Sequence, residues 1–306
     1  MYHTHFRLHS RPFRGMLPGQ RPFAVPAQEA VLAQVTEAFH AGERFIALVG
    51  TAGMGKTFVA RQVAEVLTED HLLAWITAHA WETRTGLLQG ILYDLGLPHQ
   101  AGAAQELRMA LTDFLLEQAQ QGRSLVLVVD DAHHLEPDLL EELRQWGDLG
   151  GPQDHVLQVL FVAQPPFRQT LQHPLLTSLR HQIAAWLTLE AWEPQTAAAF
   201  LREHVHGAGG ADCLLTDEAL ETIVAESNGI PRVMLQTANR AFWLAAQAQA
   251  EVVDLEAVWE ALAEFRSSGA SPDDEGQLED EDSASPALAA HTPLSVPPPK
   301  PHKVAG

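Results

Sequence analysis

Eight consecutive residues, Gly50-Thr51-Ala52-Gly53-Met54-Gly55-Lys56-Thr57, combine three glycines, a lysine and a hydroxyl at fixed spacing. They fit G-x-x-x-x-G-K-[ST], the pattern of a phosphate-binding P-loop. The chemistry this spacing offers is anion capture. Glycines at 50, 53 and 55 are expected to take positive-φ conformations and, with Thr51, Ala52 and Met54, to turn backbone amides into a concave nest. Lys56 is placed to reach the β- and γ-phosphates of ATP, and the Thr57 hydroxyl to hold Mg²⁺. The plainer reading is an ordinary glycine-rich turn. Against it, a cation at a helix start is disfavoured by about 0.3–1 kcal/mol unless an anion sits there. Lys56 is also the sole lysine before Lys300; every other basic side chain in the body of the chain is arginine.

A second candidate is Asp130-Asp131, which closes the apolar run Leu125-Val126-Leu127-Val128-Val129. Such a run reads as a strand buried on both faces, and two acids at its end are not core residues. As a Walker B element, Asp130 would hold Mg²⁺ and Asp131 would orient or deprotonate the attacking water. A solvated turn or a helix cap is the alternative. Gln164, ending the next strand, can bond the γ-phosphate or that water, or merely terminate the strand. Arg180 and Arg232 are candidate cations: Arg180 as a finger received by a neighbouring subunit, Arg232 contacting the nucleotide from a helical lid. Either could instead make a surface salt bridge.

The elements that must position these residues follow from periodicity. Phe45–Val49 precedes the glycine loop as a short strand, and Lys56–Leu67 follows it as a helix with Val59, Val63 and Val66/Leu67 on one side. Leu72–Thr77 is a second strand, followed by helical patterns at 84–95 and 103–120 around Gly96-Leu97-Pro98. After the Asp130 strand, a helix opens at Pro137, strands follow at Val156–Ala163 and Ile183–Leu189, and Pro165-Pro166 divides them. Alternating strands and helices predict an α/β parallel sheet whose ligand lies at the carboxyl ends of its strands, where Gly50, Asp130 and Gln164 all fall. From Trp192-Glu193-Pro194 the chain reads only as helices, at 194–205, 216–227, 231–249 and 254–266. The expected division is an N-terminal arm at 1–28, an α/β base at 29–190, a small all-helical lid at 191–267, and a tail at 268–306. The arm is interrupted by prolines and expected to pack through its aromatics. The tail's Ser, Pro, Asp and Glu content predicts disorder.

Composition narrows the function classes. The net charge of −20 over 306 residues opposes a nonspecific nucleic-acid binder, although Arg7, Arg11, Arg14 and Arg21 leave a local basic patch open. A single cysteine, Cys213, gives no internal disulfide and fits a reducing compartment. The chain has neither the roughly 18-residue apolar run needed to cross a bilayer nor a secretory leader, so a cytoplasmic location is expected unless a partner tethers it. His3, His5 and His9 have no acid or cysteine cluster beside them and read poorly as a metal site.

The order of these motifs resembles the AAA+ ATPases: the P-loop, Asp-Asp-Ala-His-His-Leu after a strand, Ala-Gln-Pro-Pro-Phe after the next, and Gly229-Ile230-Pro231-Arg232 in the helical part. It is most like the general secretion pathway A-component (ExeA-like) branch, and Tyr2–Phe6, Arg11-Pro12-Phe13 and Phe23-Ala24-Val25-Pro26 resemble that branch's opening. The resemblance covers residues 1–266. It implies ATP-driven assembly, a ring with nucleotide between subunits, and an inner-membrane partner in secretion or pilus systems. Transposition ATPases share the same core. By position, the resemblance implies nucleotide roles for Lys56, Thr57, Asp130, Asp131, Gln164 and Arg232. Three features depart from the branch. Asp131 stands where glutamate is usual, which implies slow hydrolysis or a nucleotide switch. Gln182 stands where arginine is frequent, leaving Arg180 as the finger candidate. An acidic tail replaces the membrane span and wall-binding region.

Overall fold

The computed structural model describes residues 2–13, 23–68, 71–78, 83–100, 103–149 and 156–267. The tail, Arg14 and Arg21 lie outside the described residues. Five strands form one sheet: β1 (Phe45–Val49), β2 (Leu72–Thr77), β3 (Leu125–Asp130), β4 (Leu157–Ala163) and β5 (Ile183–Thr188). Their order is β2-β3-β4-β1-β5, and every pairing is parallel. The carboxyl ends of all five therefore share one edge. Val49 is level with Ala163 and Thr188, and Asp130 with Thr77.

The helices are α1 (Tyr2–His5), α2 (Pro26–His40), α3 (Lys56–Leu67), α4 (Arg84–Asp94), α5 (Ala104–Gln120) and α6 (Pro137–Gly147). There follow the short α7 (Phe167–Thr170) and α8 (Thr177–Gln182), then α9 (Pro194–Gly207), α10 (Asp217–Glu226), α11 (Pro231–Gln247) and α12 (Leu255–Ser267). Two compact units result. One contains the described residues of Val31–Val49 and Thr57–Thr188; the other contains those up to Ala30, Gly50–Lys56, and those from Leu189 onward.

In the sheet unit, β1, β3 and β4 are buried along their whole length, as their largely apolar sequences require of a parallel sheet covered on both faces. Phe45, Leu127, Val159 and Phe161 share a core with Leu88 and Ile91 of α4, Leu111 of α5, and Leu140, Leu143 and Trp146 of α6. Pro137 occupies the first turn of α6, where its missing N–H costs nothing. Polar side chains are also buried in this unit, among them Gln118, Asp130, Glu142 and Gln158. Gln158 on β4 is 1% exposed; its amide donates to the carbonyls of Phe39 (2.9 Å) and Glu43 (2.8 Å), and its Oε1 accepts from Ser124 (3.3 Å). Both N–H donors and one lone pair of the oxygen are used, so its burial is compensated. At the sheet edge, the Asp94 carboxylate accepts the Trp75 N–H of β2 at 2.7 Å, closing one donor that an edge strand leaves open.

In the helical unit, α9 to α12 surround Phe200, Leu201, Ile223, Met234, Phe242 and Val258. The N-terminal arm completes that core. Tyr2, Phe6 and Phe13 stand around Phe242 at centroid distances of 5.9, 5.5 and 5.2 Å. The Tyr2 hydroxyl donates to Asn239 Oδ1 at 2.7 Å. Packing through aromatics is as the sequence suggests; the partner, more than 200 residues away in the chain, is not.

Candidate functional site

The P-loop bridges the end of β1 and the start of α3 in sequence. Gly53 and Gly55 have φ of 78° and 86°, the left-handed region that glycine enters without penalty. Gly50 corrects the expectation of three positive-φ glycines: it is not among the positive-φ residues. Its requirement is space, since a Cβ there would lie 3.1 Å from the Leu189 carbonyl oxygen and 3.3 Å from the Leu189 Cβ. Lys56 is 7% exposed, and its ammonium donates to the Thr51 carbonyl at 3.0 Å. That contact folds the lysine back over the loop, at the open end of a helix whose unpaired amides favour anions.

Gln28, in the first turn of α2, is part of this loop's support. It is 7% exposed, and its Nε2 donates to the Met54 carbonyl at 3.3 Å. A glutamine at a helix start gives no signal of such a role.

Arg232 meets the loop from the other side. Asn228 and Gly229 take φ of 50° and 72° in succession, a turn that these two residue types accept most readily. It delivers Ile230-Pro231-Arg232 to the start of α11. The Arg232 N–H then donates to the Gly53 carbonyl at 3.2 Å. A Cβ on Gly53 would approach the Arg232 Cβ to 2.8 Å and the Ile230 Cγ2 to 3.0 Å. The Arg232 side chain is exposed and makes no ion pair among the described residues.

The sheet unit presents a second group of candidates. Asp130 closes β3 and is 5% exposed; its Oδ1 accepts the Asp131 N–H at 3.0 Å. Asp131 is half-buried with φ 54° and ψ 37°, a left-handed conformation in which aspartate is enriched several-fold among non-glycine residues. It starts the 3-10 turn Ala132–His134, closed by the His134 N–H on the Asp131 carbonyl at 2.9 Å. Gln164 follows β4 at the same edge. Its N–H donates to His133 Nδ1 at 3.4 Å. Thr57, the second residue of α3, is half-buried.

Arg180 is not brought to that edge. It lies on α8, just before β5 begins, and so at the amino end of the sheet opposite Asp130 and Gln164. Its side chain is exposed and forms no ion pair among the described residues. Gln182 is engaged within the sheet unit. Its Nε2 donates to Asp148 Oδ1 at 3.3 Å, and Arg44 donates to the same oxygen at 3.2 Å.

The family model described as AAA domain matches residues 40–171. In fold, the chain is similar to the ORC2 protein of Aeropyrum pernix, solved with ADPNP and ADP: TM-score 0.63, 17% identity, covering 85% of this chain and 74% of that one. It is also similar to the Aeropyrum pernix ORC1 protein in complex with DNA: TM-score 0.64, 20% identity, covering 81% of this chain and 68% of that one. Residues 40–171 thus carry an AAA domain, and the chain shares the fold of these ORC proteins. A more particular likeness is to General secretion pathway protein A of Aeromonas hydrophila, 32% identical over 243 residues. That match spans 79% of this chain but only 44% of the relative, less than half its length.

Proposed function

We propose that this chain is a nucleotide-driven assembly ATPase, acting on a partner complex of the secretion or pilus type and working as an oligomer with nucleotide between subunits. The observation that carries the reading is the Arg232–Gly53 bond. It joins the first turn of α11 to the phosphate loop, so a change in the loop on binding or losing a γ-phosphate is passed to α11 directly. The likeness to General secretion pathway protein A supports the choice of pathway.

In this reading, amides of Gly50–Gly55 and Lys56 hold the phosphates of ATP, and Arg232 reaches the nucleotide from α11. Thr57 and Asp130 supply a hydroxyl and a carboxylate, hard oxygen donors that suit Mg²⁺; the ion, when bound, neutralises phosphate charge. Asp131 orients or deprotonates the attacking water, Gln164 bonds the γ-phosphate or that water, and Arg180 enters the site of a neighbouring copy. Its place on the far edge of the sheet from Asp130 supports action in trans. The partner is a protein, and membrane recruitment would come through it; no helix among the described residues is long and apolar enough to cross a membrane.

A DNA-linked ATPase of the mobile-element type is the second reading, favoured by the N-terminal arginines and opposed by the charge of −20. A third is a nucleotide-gated scaffold with little turnover, which Asp131 and Gln182 favour. Turnover and mass measured across protein concentration in ATP, with and without DNA, separate the three. Turnover that rises as larger species form, indifferent to DNA, is expected. DNA-stimulated turnover with steep salt dependence would move the assignment to the second reading, and assembly without turnover to the third.

A further inference from the structure

The two strand ends that carry Asp131 and Gln164 are tied together by a side chain that neither motif contains. His133 stands in the 3-10 turn after Asp131, and its Nδ1 accepts the backbone N–H of Gln164 at 3.4 Å. The carbonyl of Gln164 accepts the Phe167 N–H at 3.0 Å. Both peptide groups flanking the Gln164 Cα are therefore held, one by α7 and one by His133. Pro165 further confines Gln164 to extended backbone, so little freedom is left except in the glutamine side chain itself. On the other side, His133 is aimed by the turn. Asp131 at φ 54° reverses the chain, its N–H is held by the Asp130 carboxylate, and its carbonyl accepts the His134 N–H. The His133 ring also packs on that of His134, with centroids 4.1 Å apart.

We propose that His133 is a positioning residue that fixes Gln164 relative to Asp131, using Nδ1 as an acceptor with its proton on Nε2. The inference rests on the reading of Asp131 and Gln164 as the hydrolytic groups. It requires an acceptor at the Nδ1 position and nothing else of the ring. Asparagine supplies one there, since its Oδ1 is attached at the same carbon as Nδ1 in histidine. Glutamine carries its amide one bond further out, where Nε2 stands, and does not.

The test is steady-state ATP turnover of the full chain carrying His133→Asn, His133→Gln or His133→Ala, with Asp131→Asn and Gln164→Ala measured alongside. Loss of one hydrogen bond felt in the transition state lowers kcat by about tenfold. That loss is expected in His133→Gln and His133→Ala with KM for ATP nearly unchanged, while His133→Asn stays within about threefold of the parent. Should His133→Ala fail to fold, the Asn and Gln variants still separate the outcomes. Equal kcat in the Asn and Gln variants overturns the proposal. If the Asp131 and Gln164 variants lose turnover while the His133 variants do not, this inference alone fails. If Asp131→Asn and Gln164→Ala both keep turnover, the site reading fails and this inference with it.

Discussion

The backbone N–H of Arg232 donates to the carbonyl of Gly53 across 3.2 Å, and the Cβ of Arg232 occupies the space a side chain at Gly53 would need. The phosphate loop and the start of α11 are thus shaped against each other at a single residue. Substitution there tests both features together. Gly53→Ala places a Cβ at φ 78°, costing about 1–2 kcal/mol, and pushes it to 2.8 Å from Arg232. The expected result is at least about tenfold weaker binding of a fluorescent ATP analogue. Binding equal to the parent would show that the contact does not shape the loop.

Asp131 has a left-handed backbone that most side chains adopt only at a cost. Asp131→Asn should leave thermal stability nearly unchanged, because asparagine is as well suited to that region. Asp131→Ala should lose about 1 kcal/mol, read as a lower urea midpoint at unchanged slope. Equal destabilisation by both would mean that the carboxylate, not the backbone, holds the turn.

His204 gives the helical unit a pH dependence. Burial pushes its imidazole below the ordinary 6.5, partly offset by the bond to the Phe200 carbonyl and by the charge of Glu203. The folded state therefore holds the neutral ring while the unfolded chain takes a proton. Stability is unaffected by this group above about pH 6.5 and falls as the pH drops from there toward the lowered folded-state value. His204→Phe keeps an aromatic against Phe200 and Phe13 and should flatten the melting temperature between pH about 7 and about 5.5. An unchanged slope would place the acid sensitivity elsewhere.

The strands and the longer helices were legible because their apolar periods are strong: β3 is an unbroken run up to Asp130, and Leu139, Leu140, Leu143 and Trp146 mark the inner face of α6. The P-loop was legible because its residue types follow from local backbone need. What escaped the sequence depends on partners distant in the chain. The insertion of β4 between β3 and β1, the docking of Tyr2 on Asn239, and the contact of Gln28 with Met54 leave no local pattern. Gly50 was assigned the wrong reason for the same cause: the Leu189 backbone that excludes a side chain there is 139 residues away. His133 was visible only as one of two adjacent histidines, with nothing to indicate which faced Gln164.

The most direct test of the central claim is to measure ATP binding and ATP turnover side by side in Lys56→Ala and Asp131→Asn. Lys56 is assigned to the phosphates and Asp131 to the water, so the two variants should fail differently. Lys56→Ala is expected to lose both affinity and turnover. Asp131→Asn is expected to bind ATP as the parent does and lose turnover by about a hundredfold or more, as removal of a general base does. Normal turnover in both variants would contradict the account.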